Sequence, residues 1–166
     1  MSSSAKPGRT PIASVRSLLR RVKRGLPAVG QTPHEVIWQE NKWRLLRFTA
    51  SHGAPRWRTP ILMVPSLINR WYVLDLQPGR SLAEWLVERG HDVYIIDWGT
   101  PTAEDQYVTW DDVAGRALGR ALRQVARRSP EGEAHVLGYC LGGTLAVAHA
   151  AAGFAHIASL ALLATP

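Results

Sequence analysis

The chain has one cysteine, Cys140, in 166 residues. That excludes an internal disulfide and any cysteine-rich metal site, and it fits a reducing cytoplasm. Residues 1–30 contain no aspartate or glutamate but seven basic residues: Lys6, Arg9, Arg16, Arg20, Arg21, Lys23 and Arg24. The remainder holds thirteen basic and thirteen acidic residues, so the formal net charge of +7 belongs to the N-terminal tail. The charge therefore does not mark the folded part as a nucleic-acid binder. The first 30 residues lack the continuous apolar core of a secretory signal. The most apolar region, 136–165, is interrupted by Gly138, Gly142, Gly143, His149, Gly153 and His156. It reads as strand, helix and strand, not as a membrane span. There is no internal repeat, and low complexity is confined to the first dozen residues.

What is present divides into a tail (1–30) and a domain (31–166). In the tail, Ile12, Val15, Leu19, Val22 and Leu26 recur every three or four residues with arginines between them, the pattern of a basic amphipathic helix. Three readings fit it: a helix packed on the domain or solvated, a segment binding a membrane or a lipid-like polymer surface, and a transit peptide. Nucleic acid is disfavoured, because no aromatic residues are interleaved with the arginines.

In the domain, "EVIWQE" and "WRLLRF" predict two strands joined by a tight turn at Asn41-Lys42. Ile61–Val64 is a fully apolar strand. "GRSLAEWLVERG" predicts a helix capped by Ser81 and ended by Gly90. "DVYIIDW" is a second buried strand. "TWDDVAGRALGRALRQVARRS" predicts one long helix opening near Thr109, with arginines in its last turn, where the helix dipole favours them. "AHVLG" is a strand, "LGGTLAVAHAAA" a helix and "IASLALLA" a further buried strand. Buried strands alternating with helices imply an α/β fold with a parallel sheet covered on both faces.

Within this order, Gly138-Tyr139-Cys140-Leu141-Gly142 falls where a strand turns into a helix. A nucleophile elbow is built this way: the reactive residue occupies a sharp turn above the carboxyl end of a central strand. Flanking glycines let backbones approach closely, and Gly143 eases helix packing. The helix N-terminus favours a thiolate and offers backbone N–H groups to an oxyanion. The competing reading is a small buried hydrophobe without a chemical role.

The stretch "HVLGYCLGGTLA" resembles the cysteine lipase-box of the polyhydroxyalkanoate (poly-3-hydroxybutyrate) synthases, acyltransferases of the α/β-hydrolase fold. The resemblance extends upstream through "LMVPSLINRWYVLDLQPGRSLAEWLVERGHDVYIIDWGTP", residues 62–101, and covers roughly 56–166. It implies the N-terminal half of that doubly wound, mostly parallel sheet, with strands in the spatial order fourth, third, fifth, sixth. It implies polymerisation of (R)-3-hydroxyacyl-CoA through a Cys140 thioester, with CoA entering only as part of the substrate and no separate cofactor or metal. The implied partners are the growing polyester, a polymer granule surface, and either a homodimer mate or a second, non-catalytic subunit. The implied location is the cytoplasm, in association with granules.

By analogy with the fold's chain order, Leu141 N–H is one oxyanion donor, and the other comes from the loop Ser66–Ile68, through Leu67 or Ile68. Asn69, Tyr72 and Asp75 lie in the family-like loop and are candidates for the pocket. Asp97 and Trp98 are candidates because they end a strand on the ligand-binding edge of such sheets. His34, His52, His91, His135, His149 and His156 read as ordinary surface or helix residues, since none follows a late strand. The fold's order places the acid and the histidine after the nucleophile, so the sequence is expected to be a fragment lacking both and inactive alone. Two alternatives remain open: a cysteine thioesterase or esterase of the same fold, and a non-catalytic granule- or membrane-binding remnant.

Overall fold

The computed structural model describes residues 28–49, 53, 55–153 and 155–166. The helix expected over 12–26 therefore lies outside the described residues, as does His52. Strands β1 (His34–Glu40) and β2 (Trp43–Phe48) form the expected hairpin, turning at Asn41, whose φ is +53°. The parallel strands are β3 (Ile61–Val64), β4 (Val93–Asp97), β5 (Ala134–Tyr139) and β6 (Ile157–Leu163). Together they make a six-stranded sheet in the order β1-β2-β4-β3-β5-β6. The expected order of fourth, third, fifth and sixth strands is thus found, with β2 added antiparallel to β4.

Alternation along the central strands explains why they read as continuously apolar. Leu62 and Val64 of β3 and Tyr94 and Ile96 of β4 join one core, while Ile61 and Met63, Val93 and Ile95 join the other. Period-two strands buried on both faces can leave no polar positions. The second core is covered by helix α1 (Leu82–Glu88), which contributes Ala83, Leu86 and Val87. Its N-cap Ser81 accepts the Glu84 N–H at 2.9 Å, as its sequence predicts. The first core is covered by α2 (Leu118–Ala126) and α3 (Leu141–Ala151) through Leu118, Leu122, Val125 and Leu145.

Two expectations are corrected. The long helix is not α-helical throughout: Asp111–Ala117 winds as π-helix before α2 begins. There the Ala114 carbonyl accepts the His149 Nδ1–H at 2.6 Å, the sort of side-chain insertion that widens a turn. On the outer face of α1, Trp85 is about half exposed, with the Arg89 guanidinium 3.7 Å above its ring. Finally, β6 is not buried. It pairs with β5 on one side and is the last strand of the sheet, so Leu162 and Leu163 remain about half exposed. Among the described residues, no helix is long and apolar enough to cross a membrane.

Candidate active site

Cys140 lies between the last residue of β5 and the first of α3, at φ +52° and ψ −131°. A non-glycine residue held there is strained by about 1–3 kcal/mol and persists only where its surroundings fix it. Two hydrogen bonds do so: Cys140 N–H donates to the Leu163 carbonyl (2.9 Å), and Gly143 N–H donates to the Cys140 carbonyl (2.8 Å).

The three glycines of the box each meet a different neighbour. A Cβ on Gly138 would strike the Gly143 backbone, one on Gly142 the Val64 and Pro65 carbonyls, and one on Gly143 the Thr165 side chain. Strand β5, helix α3, the end of β3 and Thr165, two residues after β6, thus converge so closely that a side chain would force one of them to shift. The turn is sterically fixed. Thr165 had no signal in the sequence beyond its place after a strand.

As the first residue of α3, Leu141 has an N–H with no acceptor inside the helix. On the opposite side, the chain leaving β3 runs through Pro65 and the fully buried Ser66. Ser66 Oγ accepts the Ile68 N–H at 3.1 Å, and the Ile68 side chain is 81% exposed. Ile68 is therefore corrected as an oxyanion donor, since its N–H already has a partner. Among the described residues, the Leu67 N–H meets no acceptor.

The remaining candidates separate. Asp75 is corrected: it is buried, and its carboxylate accepts the Thr32 N–H (3.0 Å) and the Thr32 hydroxyl (2.6 Å), clamping the segment before β1. Tyr72 is half-buried in a short 3-10 turn, edge-on to Trp71, and Asn69 is exposed. Arg70, which the sequence reading passed over, donates to the Gly99 carbonyl (3.2 Å) and the Thr100 hydroxyl (2.6 Å), joining this loop to the one after β4. Asp97 accepts from the Arg44 guanidinium (2.5 and 3.1 Å) and from the Gly99 N–H (3.0 Å), so it shapes the β4 turn. Trp98 donates its indole N–H to the Pro65 carbonyl at 2.9 Å. It lines a cavity of about 670 Å³ together with Leu67, Trp43 and Trp110.

None of the five described histidines sits at the elbow. His91, His135 and His156 lie where β4, β5 and β6 begin, at the end of the parallel sheet opposite Cys140. His34 opens β1, with Nδ1 donating to the Thr32 carbonyl at 2.8 Å. His149 is buried against Ala114. Burial lowers its imidazole pKa, a trend opposed by the bond to the Ala114 carbonyl and reinforced by Arg123.

Comparison with known proteins agrees with this geometry. The family model for the N-terminus of poly-beta-hydroxybutyrate polymerase (PhaC) matches residues 25–86, and the alpha/beta hydrolase fold model matches 59–166. The poly(3-hydroxyalkanoate) polymerase subunit PhaC of Haloferax mediterranei is 44% identical over 137 residues, covering 82% of this chain and 28% of that protein. The corresponding subunit of Cupriavidus necator is 38% identical over 141 residues, covering 82% and 24%. The chain therefore spans less than a third of the length of these two relatives. Among solved structures, the thioesterase domain of the curacin biosynthetic pathway superposes with a TM-score of 0.57 at 15% identity, covering 80% of this chain and 46% of that one. The Cif epoxide hydrolase of Acinetobacter nosocomialis gives 0.53 at 19% identity, covering 98% and 48%. The likeness to both extends to the fold alone. On the match over 59–166 and the sheet order, the chain belongs to the α/β-hydrolase fold family, and its sequence relatives are poly(3-hydroxyalkanoate) polymerase subunits.

Proposed function

We propose that Cys140 is the acyl-carrying nucleophile of a polyhydroxyalkanoate polymerase acting on (R)-3-hydroxyacyl-CoA. The observation that carries this reading is the positive φ of Cys140 at the strand–helix turn, enclosed by glycines where an added Cβ would press on neighbouring atoms. Sγ, as thiolate, attacks the thioester carbonyl, and the resulting oxyanion accepts the Leu141 and Leu67 N–H groups. The carbon–sulfur bond to CoA breaks, and CoA leaves as its thiolate and takes up a proton. The hydroxyl oxygen of a second hydroxyacyl unit then attacks the Cys140 thioester. Its proton passes to a base, the bond to Sγ breaks, and an ester forms.

One thioester replaces another in the first half-reaction, so that step runs close to energetic balance. In this reading the proton acceptor is a residue other than the five described histidines. The growing polyester, its granule surface and either a homodimer mate or a non-catalytic subunit are the partners of this reading.

The same elbow serves a thioesterase if water replaces the hydroxyl nucleophile. Products formed from (R)-3-hydroxybutyryl-CoA separate the two. The polymerase reading expects ester-linked oligomers alongside CoA, whereas release of free 3-hydroxybutyrate equal to the CoA formed would contradict it.

A further inference from the structure

The cavity lined by Leu67 and Trp98 is not needed to build the turn, and a chain of contacts through Trp98 and Pro65 ties its wall to the elbow helix. The Pro65 carbonyl packs against Gly142 of the elbow helix and also accepts the Trp98 indole N–H. Leu67 offers its N–H as an oxyanion donor, and its side chain lines the cavity with Trp98. The wall is partly open, with an apolar part and a charged rim: Trp43 faces in from β2, while Tyr107, Val108 and Trp110 come from the segment before the π-helical turns. Tyr107 and Val108 are 81% and 52% exposed, much apolar surface for one short segment. A volume of about 670 Å³ lies within the range that small-molecule sites occupy, roughly 300–1,000 Å³.

Charge decides between a nucleotide carrier and a neutral chain. Three cations border the cavity, and each is already paired with a carboxylate at its rim: Lys42 with Asp105, Arg116 with Asp112, and Arg120 with Glu40. An anion entering here would have to displace a carboxylate from each cation it used. Tryptophan faces and aliphatic side chains instead suit a neutral, weakly polar chain. We infer that this cavity binds an aliphatic polyester segment, a run of 3-hydroxyacyl units. The ligand identity rests on the polymerase reading.

Three tryptophans in the wall make binding directly observable. The test titrates a short (R)-3-hydroxybutyrate oligoester methyl ester into the Cys140→Ala chain, which cannot be acylated, while following tryptophan emission. The expected result is a saturable change that is lost when Trp98 and Trp110 are both replaced by phenylalanine. Val108→Asp, on an exposed loop, should weaken the titration at least tenfold with the far-UV spectrum unchanged. No saturable change, equal affinity in Val108→Asp, or a matching response to free CoA that the oligoester fails to compete would each overturn the inference. Acylation of Cys140 is scored separately on the wild-type chain. Acylation of Cys140 without oligoester binding removes the cavity assignment alone, and oligoester binding with the acyl group found on a residue other than Cys140 removes the polymerase reading alone.

Discussion

Substituting Gly142 by alanine sets two effects of known size against each other. Within a helix, alanine is better than glycine by about 0.8–1 kcal/mol, so an unconstrained site would gain stability. At Gly142 the new methyl group would lie against the Val64 and Pro65 carbonyls, where β3 leaves the middle of the sheet. Backbone in a central strand cannot swing aside as a flexible side chain can, so either the elbow helix or the strand end must move. Overpacking of this kind costs about 1–3 kcal/mol and sometimes more. A net loss of about 1 kcal/mol is expected, which for a chain of this size lowers Tm by roughly 2–4 °C.

Gly115, in the π-helical turns, provides the control, because a Cβ there would meet nothing within 4 Å. Gly115→Ala is expected to gain about 0.5–1 kcal/mol. Urea denaturation followed by far-UV circular dichroism reads both midpoints. The reasoning fails if Gly142→Ala is as stable as wild type, or if the two variants shift in the same direction.

Further outcomes follow from the same geometry. Cys140→Ala should abolish CoA release from 3-hydroxybutyryl-CoA, and Cys140→Ser should be nearly as damaging, since a hydroxyl needs much stronger base assistance than a thiol; a serine variant with near-wild-type rates would contradict this. With none of the described imidazoles at the elbow, the chain should release CoA at least about 10²-fold more slowly than a full-length polymerase relative, the range attributed to general-base assistance. Asp75→Ala leaves the buried Thr32 hydroxyl and N–H without their acceptor and should destabilise by about 1–3 kcal/mol, measured by thermal unfolding. Acid should weaken the fold through His149: its folded pKa is lowered mainly by burial, so below about pH 6.5 the unfolded chain binds a proton that the folded chain resists. Stability should therefore fall as pH drops from 7 toward 5.5, and less steeply in His149→Gln; a rise on acidification would reverse the sign. Deleting residues 1–30 should leave the fold intact and weaken salt-sensitive binding to anionic vesicles or polymer granules, as read by co-sedimentation.

The parts of the fold legible in the sequence were those governed by neighbouring residues. Ser81 announced its helix because a cap acts three residues away, and Asn41 announced its hairpin because the turn needs a residue tolerant of positive φ. The elbow was legible because glycine spacing around Cys140 reports how closely β5, α3 and the end of β3 approach. Contacts across long separations were not. The Asp75–Thr32 clamp spans 43 residues, and a buried aspartate in a family-like loop looks the same in sequence whether it binds substrate or backbone. Ile68 failed as a donor because Ser66 takes its N–H, a local turn that the apolar run around it concealed. The π-helical stretch was hidden because its departure from α geometry involves His149, 35 residues away. Trp85 and the exposed end of β6 show that apolar character alone does not reveal what covers a residue.

The most direct test locates the acyl group. The chain is incubated with (R)-3-hydroxybutyryl-CoA, quenched in acid and digested, and each peptide is weighed for one added 3-hydroxybutyryl unit, with the Haloferax mediterranei polymerase as the positive control. If Cys140 is the nucleophile, a single modified peptide is found in the chain, it contains Cys140, neutral hydroxylamine removes the group as it does a thioester, and Cys140→Ala carries none. An acyl group on any other residue, or equal labelling of Cys140→Ala, would contradict the assignment of the elbow as the site of chemistry.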